Sequence, residues 1–317
     1  MLRNRSLLRA VTAFAVIGGV SFVSIAAFSA DMPTKAPPVG CVQAVDGING
    51  KVAGLGGSFA DKGIYGGLGS FSMPLGCEFG VQIDGSAGSF DSRFLGSAAG
   101  HLFWRDPAKG LLGVYGSYTF WDQAGGVRAN HIGPEGELYY GRWTLQGVGG
   151  VEFGNTTSAT IGDIIQTYEI KTRFFDQVNV GYYLQDNFKL FIGHRYLGGK
   201  HALAFGGEYG IPMSHGVMTA LFAEGRFGEG DFHGVWGGLR FYFGQKDKTL
   251  IRRHREDDPN DWGGGFGNGI NNGGSTTPTP TPTQNCCPVS GTNNLILKPG
   301  TQLAELQVAS AACICTQ

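Results

Sequence analysis

From Asn49 to Gly244, hydrophobic and polar residues alternate with a period of two, the repeat of a strand whose faces differ, not the 3.6 of a helix. In Glu78–Phe90, Phe79, Val81, Ile83, Gly85 and Ala87 share one face, and Glu78, Gly80, Gln82, Asp84 and Ser86 share the other. In Trp143–Phe153, Trp143, Leu145, Gly147, Gly149, Val151 and Phe153 oppose Thr144, Gln146, Val148, Gly150 and Glu152. Turn residues cut the region into twelve segments: 49–59, 63–73, 77–90, 94–105, 111–120, 127–140, 143–154, 174–184, 188–197, 201–209, 217–226 and 232–243. The first two alternate least. Met73-Pro74-Leu75-Gly76, Asp106-Pro107-Ala108-Lys109, Gly141-Arg142, Gln185-Asp186-Asn187 and Gly210-Ile211-Pro212 read as tight turns.

Alternation alone does not say whether the apolar face meets a protein core or lipid. Three features favour lipid. The segments approach or exceed the ~9–11 residues that cross a bilayer at a tilt, whereas soluble strands cluster at about 5–6. Their number is even, as in bacterial outer-membrane barrels. Aromatic residues gather at segment ends (Phe90, Phe94, Trp104, Phe120, Trp121, Tyr139, Tyr140, Trp143, Phe153), where interfacial girdles sit. The expected fold is therefore all-β: an antiparallel, up-and-down transmembrane β-barrel of about twelve strands with a flexible C-terminal tail. Entering from the periplasm, such a chain returns there, with its tight turns on that side and the long Asn155–Arg173 connection outside.

Composition fits this picture. The chain has 317 residues, 55 of them Gly, with 42% hydrophobic and 15% charged residues and a net charge of -1. The glycine has no collagen period, the charge gives no footing for nucleic acid, and 12% aromatics is too many for a disordered chain. A mean hydropathy of -0.06 suits a barrel that averages an apolar outside with a polar inside.

Residues 1–29 have a secretory signal layout: Arg3, Arg5 and Arg9, an apolar Val11–Phe28, and small Ala27 and Ser29 before a cut at Ala30. Export from a Gram-negative cytoplasm to the outer membrane follows, in an oxidising setting. The predicted order is signal (1–29), periplasmic segment (30–48), barrel (49–244), a charged and then Gly/Asn/Thr-Pro linker (245–285) and a Cys-containing segment (286–317).

The strand Trp236-Gly237-Gly238-Leu239-Arg240-Phe241-Tyr242-Phe243 resembles the last-strand signal read by barrel-assembly machinery, with Gly238, Phe241 and Phe243 as its marks. Asp31-Met32-Pro33-Thr34-Lys35-Ala36-Pro37-Pro38 looks like the mature start of small alphaproteobacterial outer-membrane β-barrel proteins. Residues 30–258 as a whole are similar to uncharacterised, porin-like members of that group. The resemblance implies compartment and fold, and carries over no catalytic residue and no solute. The signal strand departs from the pattern, because 73 residues follow Gly244.

In the tail, Gln245–Pro259 is densely charged and reads as a solvated exit segment, with contact to peptidoglycan or to anionic lipid at the inner leaflet as the functional alternative. Through the tail as a whole, peptidoglycan or a periplasmic protein is the candidate partner. Thr277–Thr283 alternates Thr and Pro, a semi-rigid spacer. Cys41 and Cys77 would both lie at the periplasmic rim, where a bridge is geometrically feasible, as are two separate thiols. Cys286, Cys287, Cys313 and Cys315 suggest disulfides in a piece too short to bury a core. Their spacing is not the usual zinc pattern, so no metal or cofactor is expected.

The polar face, assigned to the lumen, carries Asp84, His101, Glu135, Glu137, Glu152, Lys189, Arg195, Glu208, Glu224, Arg226 and Arg240. Mixed signs predict a passive pore for small solutes with weak ion selectivity, or else pairs that fill the lumen. The alternative function is an anchor that holds a tail in the periplasm. A lipid hydrolase ranks last, because it needs a serine activated by a histidine near the outer lipid interface. His194 is on the lipid register without a serine on its own strand, and the pair Ser214-His215 falls in a periplasmic turn. No enzyme activity is expected.

Overall fold

The computed structural model describes residues 41–161, 164–230, 232–262 and 281–282. The signal, the cysteines of the tail and most of the Thr-Pro spacer lie outside them. Twelve strands close into one antiparallel barrel: β1 (Asn49–Phe59), β2 (Lys62–Leu75), β3 (Phe79–Phe90), β4 (Arg93–Asp106), β5 (Gly110–Trp121), β6 (Val127–Tyr140), β7 (Trp143–Gly154), β10 (Arg173–Gln185), β11 (Phe188–Leu197), β12 (Lys200–Pro212), β13 (Val217–Gly228) and β14 (Gly234–Phe243). The short strands β8 (Thr156–Ile161) and β9 (Ile164–Glu169) form a hairpin within the β7–β10 connection, which the sequence read as a plain loop. Each barrel strand pairs with its neighbours along the sequence, and β14 closes on β1 from Gly50↔Phe243 to Phe59↔Gly234. Phe243 is thus the end of the barrel despite the residues that follow it. The two weakly alternating segments are both strands, paired from Asn49↔Ser72 to Phe59↔Lys62.

The faces are inverted relative to a soluble barrel. Phe79, Ile83, Leu102, Leu112, Val114, Ile132, Leu145 and Leu239 are exposed on the outside, while Gln82, Asp84, His101, Gln146 and Gln177 are buried within. A barrel in water would leave that apolar wall unsatisfied. A barrel in lipid meets it and pairs every backbone group without an edge. The protein is a β-barrel of the membrane-spanning kind.

One end of the barrel holds the start of β1 and the end of β14; it is called here the terminal end. The other is the hairpin end. At the hairpin end two strand pairs turn on two residues with positive φ, Ala60-Asp61 and Asp91-Ser92, the geometry that matches the right-handed twist of the flanking strands. Not every end-of-strand aromatic faces lipid as expected. Tyr140 and Trp143 are exposed, but Phe90, Trp121 and Tyr139 are buried on the inner side. Neighbouring residues of a strand point to opposite faces, so each inward ring sits beside a residue that faces out.

The charged segment after β14 is not a solvated exit. Leu250–Glu256 forms helix α1 at the terminal end. Its last turn holds Arg253, His254 and Arg255, which complement the negative helix end, and Pro259 soon follows its C-cap, Asp257. The N-terminal segment meets it there: the Asp46 amide donates to the Glu256 carbonyl at 2.8 Å, and the Ala44 amide to the Cys77 carbonyl at 2.8 Å. Cys41 and Cys77 are bonded, with 6.2 Å between their Cα atoms. Gly80 lets this segment approach the wall, because a Cβ there would strike Val45 and the Phe103 ring.

Candidate functional site: a lumen closed at both ends

All the lumen residues named from the sequence, Asp84, His101, Glu135, Glu137, Glu152, Lys189, Arg195, Glu208, Glu224, Arg226 and Arg240, lie on the inner face. The structure groups them into sets. His101 bridges Asp84 (2.8 Å) and Glu135 (2.9 Å) across β3, β4 and β6. Arg195 and Arg226 share Glu224 at 3.5 and 2.7 Å. His131 and Arg173 share Glu152 at 3.1 and 3.4 Å. Glu137 accepts from Tyr139 and Gln146, and Gln146 in turn accepts from Lys189 at 3.0 Å. Charges buried this deeply persist only when paired, and here they pair along the inner wall, within a strand or between strands one or two apart.

At the terminal end, α1 plugs the mouth. Leu250 is fully buried against Met218, Ala220 and Tyr242. Arg255 donates to the carbonyls of Gly141 (2.9 Å) and Trp143 (3.0 Å), and Arg253 to that of Gly216 (2.8 Å). The Ile251 amide donates to the Asp186 carbonyl at 2.9 Å, and the Leu250 amide to Asn187 Oδ1 at 2.9 Å. The helix is therefore tied to three separate turns. Lys248, just before it, meets Asp46 (2.8 Å), Glu256 (3.2 Å) and Asp257.

His254 points from α1 into the lumen. Its Nδ1 is 2.7 Å from the Tyr183 hydroxyl and its Nε2 is 3.0 Å from that of Tyr242, which donates to Glu208 at 2.6 Å. A neutral ring carrying its proton on Nε2 satisfies all three groups. Burial holds its pKa well below the usual imidazole value, reinforced by Lys189, Lys51, Arg240 and Arg255. Burial also pushes Asp257 up to about 6 and raises Asp258.

Beyond the helix the chain runs inside the barrel. The Ser72 hydroxyl donates to Asp258 at 2.7 Å. Lys51 donates to the Pro259 carbonyl at 3.0 Å and pairs with Asp261 at 3.3 Å. Trp262 is 4% exposed and donates its indole N–H to Glu135 at 3.2 Å.

At the hairpin end, rings close the opening. Phe59 packs edge-on against Phe90, Phe232 and Trp236, with centroids 5.9–6.3 Å apart. Phe90 meets Trp121 at 5.2 Å, and Trp121 meets Tyr168 of the β8–β9 hairpin at 5.8 Å. The hairpin is tied over this end by Gln123 donating to the Tyr168 hydroxyl at 3.1 Å. A cavity of about 110 Å³ remains between plug and rings, lined by Lys51, Lys189, Glu208, Glu224, Arg240 and Trp262 among others.

The sequence did not single out Lys51, Tyr183, Tyr242, His254, Asp261 or Trp262. One signal was available. Leu250, Arg253, His254 and Asp257 recur at helical spacing, on one face of a segment read as solvated. On the lipid face, His194 meets Asp176 at 2.8 Å and His201 at 3.0 Å, neither of them a hydroxyl nucleophile. His215 does contact Ser214 at 2.9 Å, at a turn of the terminal end.

No family model and no curated protein matches the chain. Solved structures are similar to it at low identity and low TM-score. A membrane protein crystallised in meso is 15% identical with a TM-score of 0.45, covering 66% of this chain and 91% of its own. The translocator domain of the autotransporter NalP from Neisseria meningitidis is 12% identical with a TM-score of 0.39, covering 62% and 87%. A FadL homologue from Pseudomonas aeruginosa is 8% identical with a TM-score of 0.29, covering 62% and 88%.

Proposed function

We propose that the protein is an outer-membrane barrel that anchors its own carboxy-terminal segment and keeps its lumen closed while doing so. The observation that carries this reading is the course of residues 245–262. They dock a helix on three turns and then continue inside the wall through Ser72, Lys51, Arg240 and Glu135. An unoccupied pore would spend its polar lining on water. Here much of that lining contacts the chain's own tail.

In this reading a cleaved signal exports the chain, and barrel-assembly machinery reads Gly238, Phe241 and Phe243 on β14. Outer-membrane lipid covers the wall, and the terminal end faces the periplasm, because short turns and chain ends lie on that side in such barrels. Peptidoglycan or a periplasmic protein remains the partner class for the exposed charges around α1. No catalysis and no cofactor is part of the proposal.

Planar-bilayer recording of the purified full chain tests the reading. No steady conductance is expected. A stable, ohmic current from the full chain would exclude a closed anchor and restore the passive pore.

A further inference from the structure

We propose that the cavity between plug and rings is a binding site for a small carboxylate anion with a short apolar body. The proposal goes beyond the anchor reading. It rests on the closed lumen, which bilayer recording tests by itself.

The charges around the cavity do not balance. Lys51 has Asp261 at 3.3 Å, Arg240 has Glu208 at 3.0 Å, and Arg195 and Arg226 share Glu224. Lys189 lines the same cavity and has no ion pair among the described residues. Its ladder neighbour on β12 is Glu208, but the two oxygens of Glu208 accept from Arg240 and from the Tyr242 hydroxyl. Lys189 donates to Gln146 Oε1 at 3.0 Å, which leaves two of its three N–H bonds to place. The residue is 9% exposed, and an ammonium buried this far needs a counter-ion. The Nε atoms of Arg195 and Arg240, on the same lining, are buried without an acceptor among the described residues. The carboxylate of the lining that lacks an ion pair, Asp258, is held by Ser72 on β2, five strands round the barrel from β11. Spare donors therefore gather on the Lys189 side, and an anion is what they fit.

The surface beside these donors is apolar. Lys189 lies across Gly181, where a Cβ would strike its Cε at 2.8 Å. Phe191, two residues on and on the same face of β11, lies over Gly206, where a Cβ would strike its ring at 2.8 Å. Leu68 and Phe222 line the cavity as well, and the Arg240 guanidinium sits 4.7 Å from the centre of the Phe222 ring. An inorganic anion would leave this apolar surface unmet, and a hydrocarbon would leave Lys189 unmet. A carboxylate on a short chain meets both, its oxygens accepting from Lys189 and its carbons packing on the rings. The volume of about 110 Å³ sets the size. A cavity of about 150 Å³ takes a benzene ring, so an acid of three or four carbons fits here.

Equilibrium dialysis of radiolabelled propionate against the full chain tests the proposal. The chain is folded in detergent with propionate present, so that entry past α1 is not required. Saturable binding of one propionate per chain is expected. Unlabelled propionate should displace it. Propionamide, of the same shape without the charge, should not, and neither should inorganic phosphate, which has the charge without the apolar body. Lys189→Met is expected to weaken binding by about tenfold or more, the loss of a charged hydrogen-bond donor. Leu68→Trp fills the apolar part of the cavity and keeps the cation. It should weaken binding too, and it stands in if Lys189→Met does not fold. No saturable binding by the unaltered chain, undiminished binding by either folded variant, or equal displacement by propionamide or phosphate overturns the proposal. Its failure leaves the anchor reading in place, whereas a steady current from the full chain overturns that reading whatever propionate does.

Discussion

The two ends of the lumen are closed by different physics. The terminal end is shut by a charged helix held through ion pairs and donors to turn carbonyls. The hairpin end is shut by rings that touch edge to face. Polar closure is directional and depends on protonation. Ring closure rests on buried area, which is neither. A change in its charges would weaken the helix's docking, whereas the rings belong to the strands and loops.

The largest test of this contrast is a chain ending at Gly244. It removes the polar plug and keeps the rings, which still shut the hairpin end, so bilayer recording is expected to change from silence to sustained current only when Phe59→Ala is added. Sustained current from the truncation alone would mean that the rings do not seal the lumen. Next comes Lys248→Ala, which leaves Asp46, Glu256 and Asp257 without their shared cation. Breaking such a buried set costs about 3–5 kcal/mol, so the variant should lose protease protection at residues 245–250. Phe59→Ala removes the ring that joins three others, a loss of about 3 kcal/mol. It should lower the thermal midpoint of the folded barrel while leaving the protease protection of α1 unchanged.

Protonation gives a smaller test. Asp257 binds its proton more tightly when docked, so its contribution strengthens docking as pH falls through about 6. Asp258 acts in the same direction. His254 must stay neutral when docked, so it weakens docking as pH falls below the free imidazole value. His254→Gln should therefore show protease protection of α1 that rises from pH 7 to pH 5, by about 1 kcal/mol for the Asp257 contribution. The unaltered chain should rise less, and equal slopes would refute the role given to His254. The smallest effect belongs to Lys62→Ala, which breaks the exposed pair with Asp91 at the hairpin rim. An exposed pair contributes less than about 1 kcal/mol, and a large shift in thermal midpoint would contradict that ranking.

The strands were legible because a bilayer imposes one pattern on all of them. Segment 127–140 and strand β6 coincide, as do 143–154 and β7. The inward residues were legible for the same reason, since one residue of register decides the face. The tail was not legible by that route. Lys248 and Lys246 look alike in sequence, yet one is buried among three carboxylates and the other is largely exposed. Trp121 and Phe120 both looked like girdle residues, and Trp121 turned inward because Phe120 faces out.

By itself the sequence determined a membrane barrel of twelve strands and the identity of its inner face. Periodicity is local, and the hydrophobic effect reads it strand by strand. Only the tertiary structure decided that the lumen is closed and that the chain's own tail closes it. That outcome depends on groups far apart in sequence, such as Lys51 with Asp261 and Tyr183 with His254. They meet because barrel closure makes a low-dielectric interior in which each charge needs a partner. The tail supplies several of them.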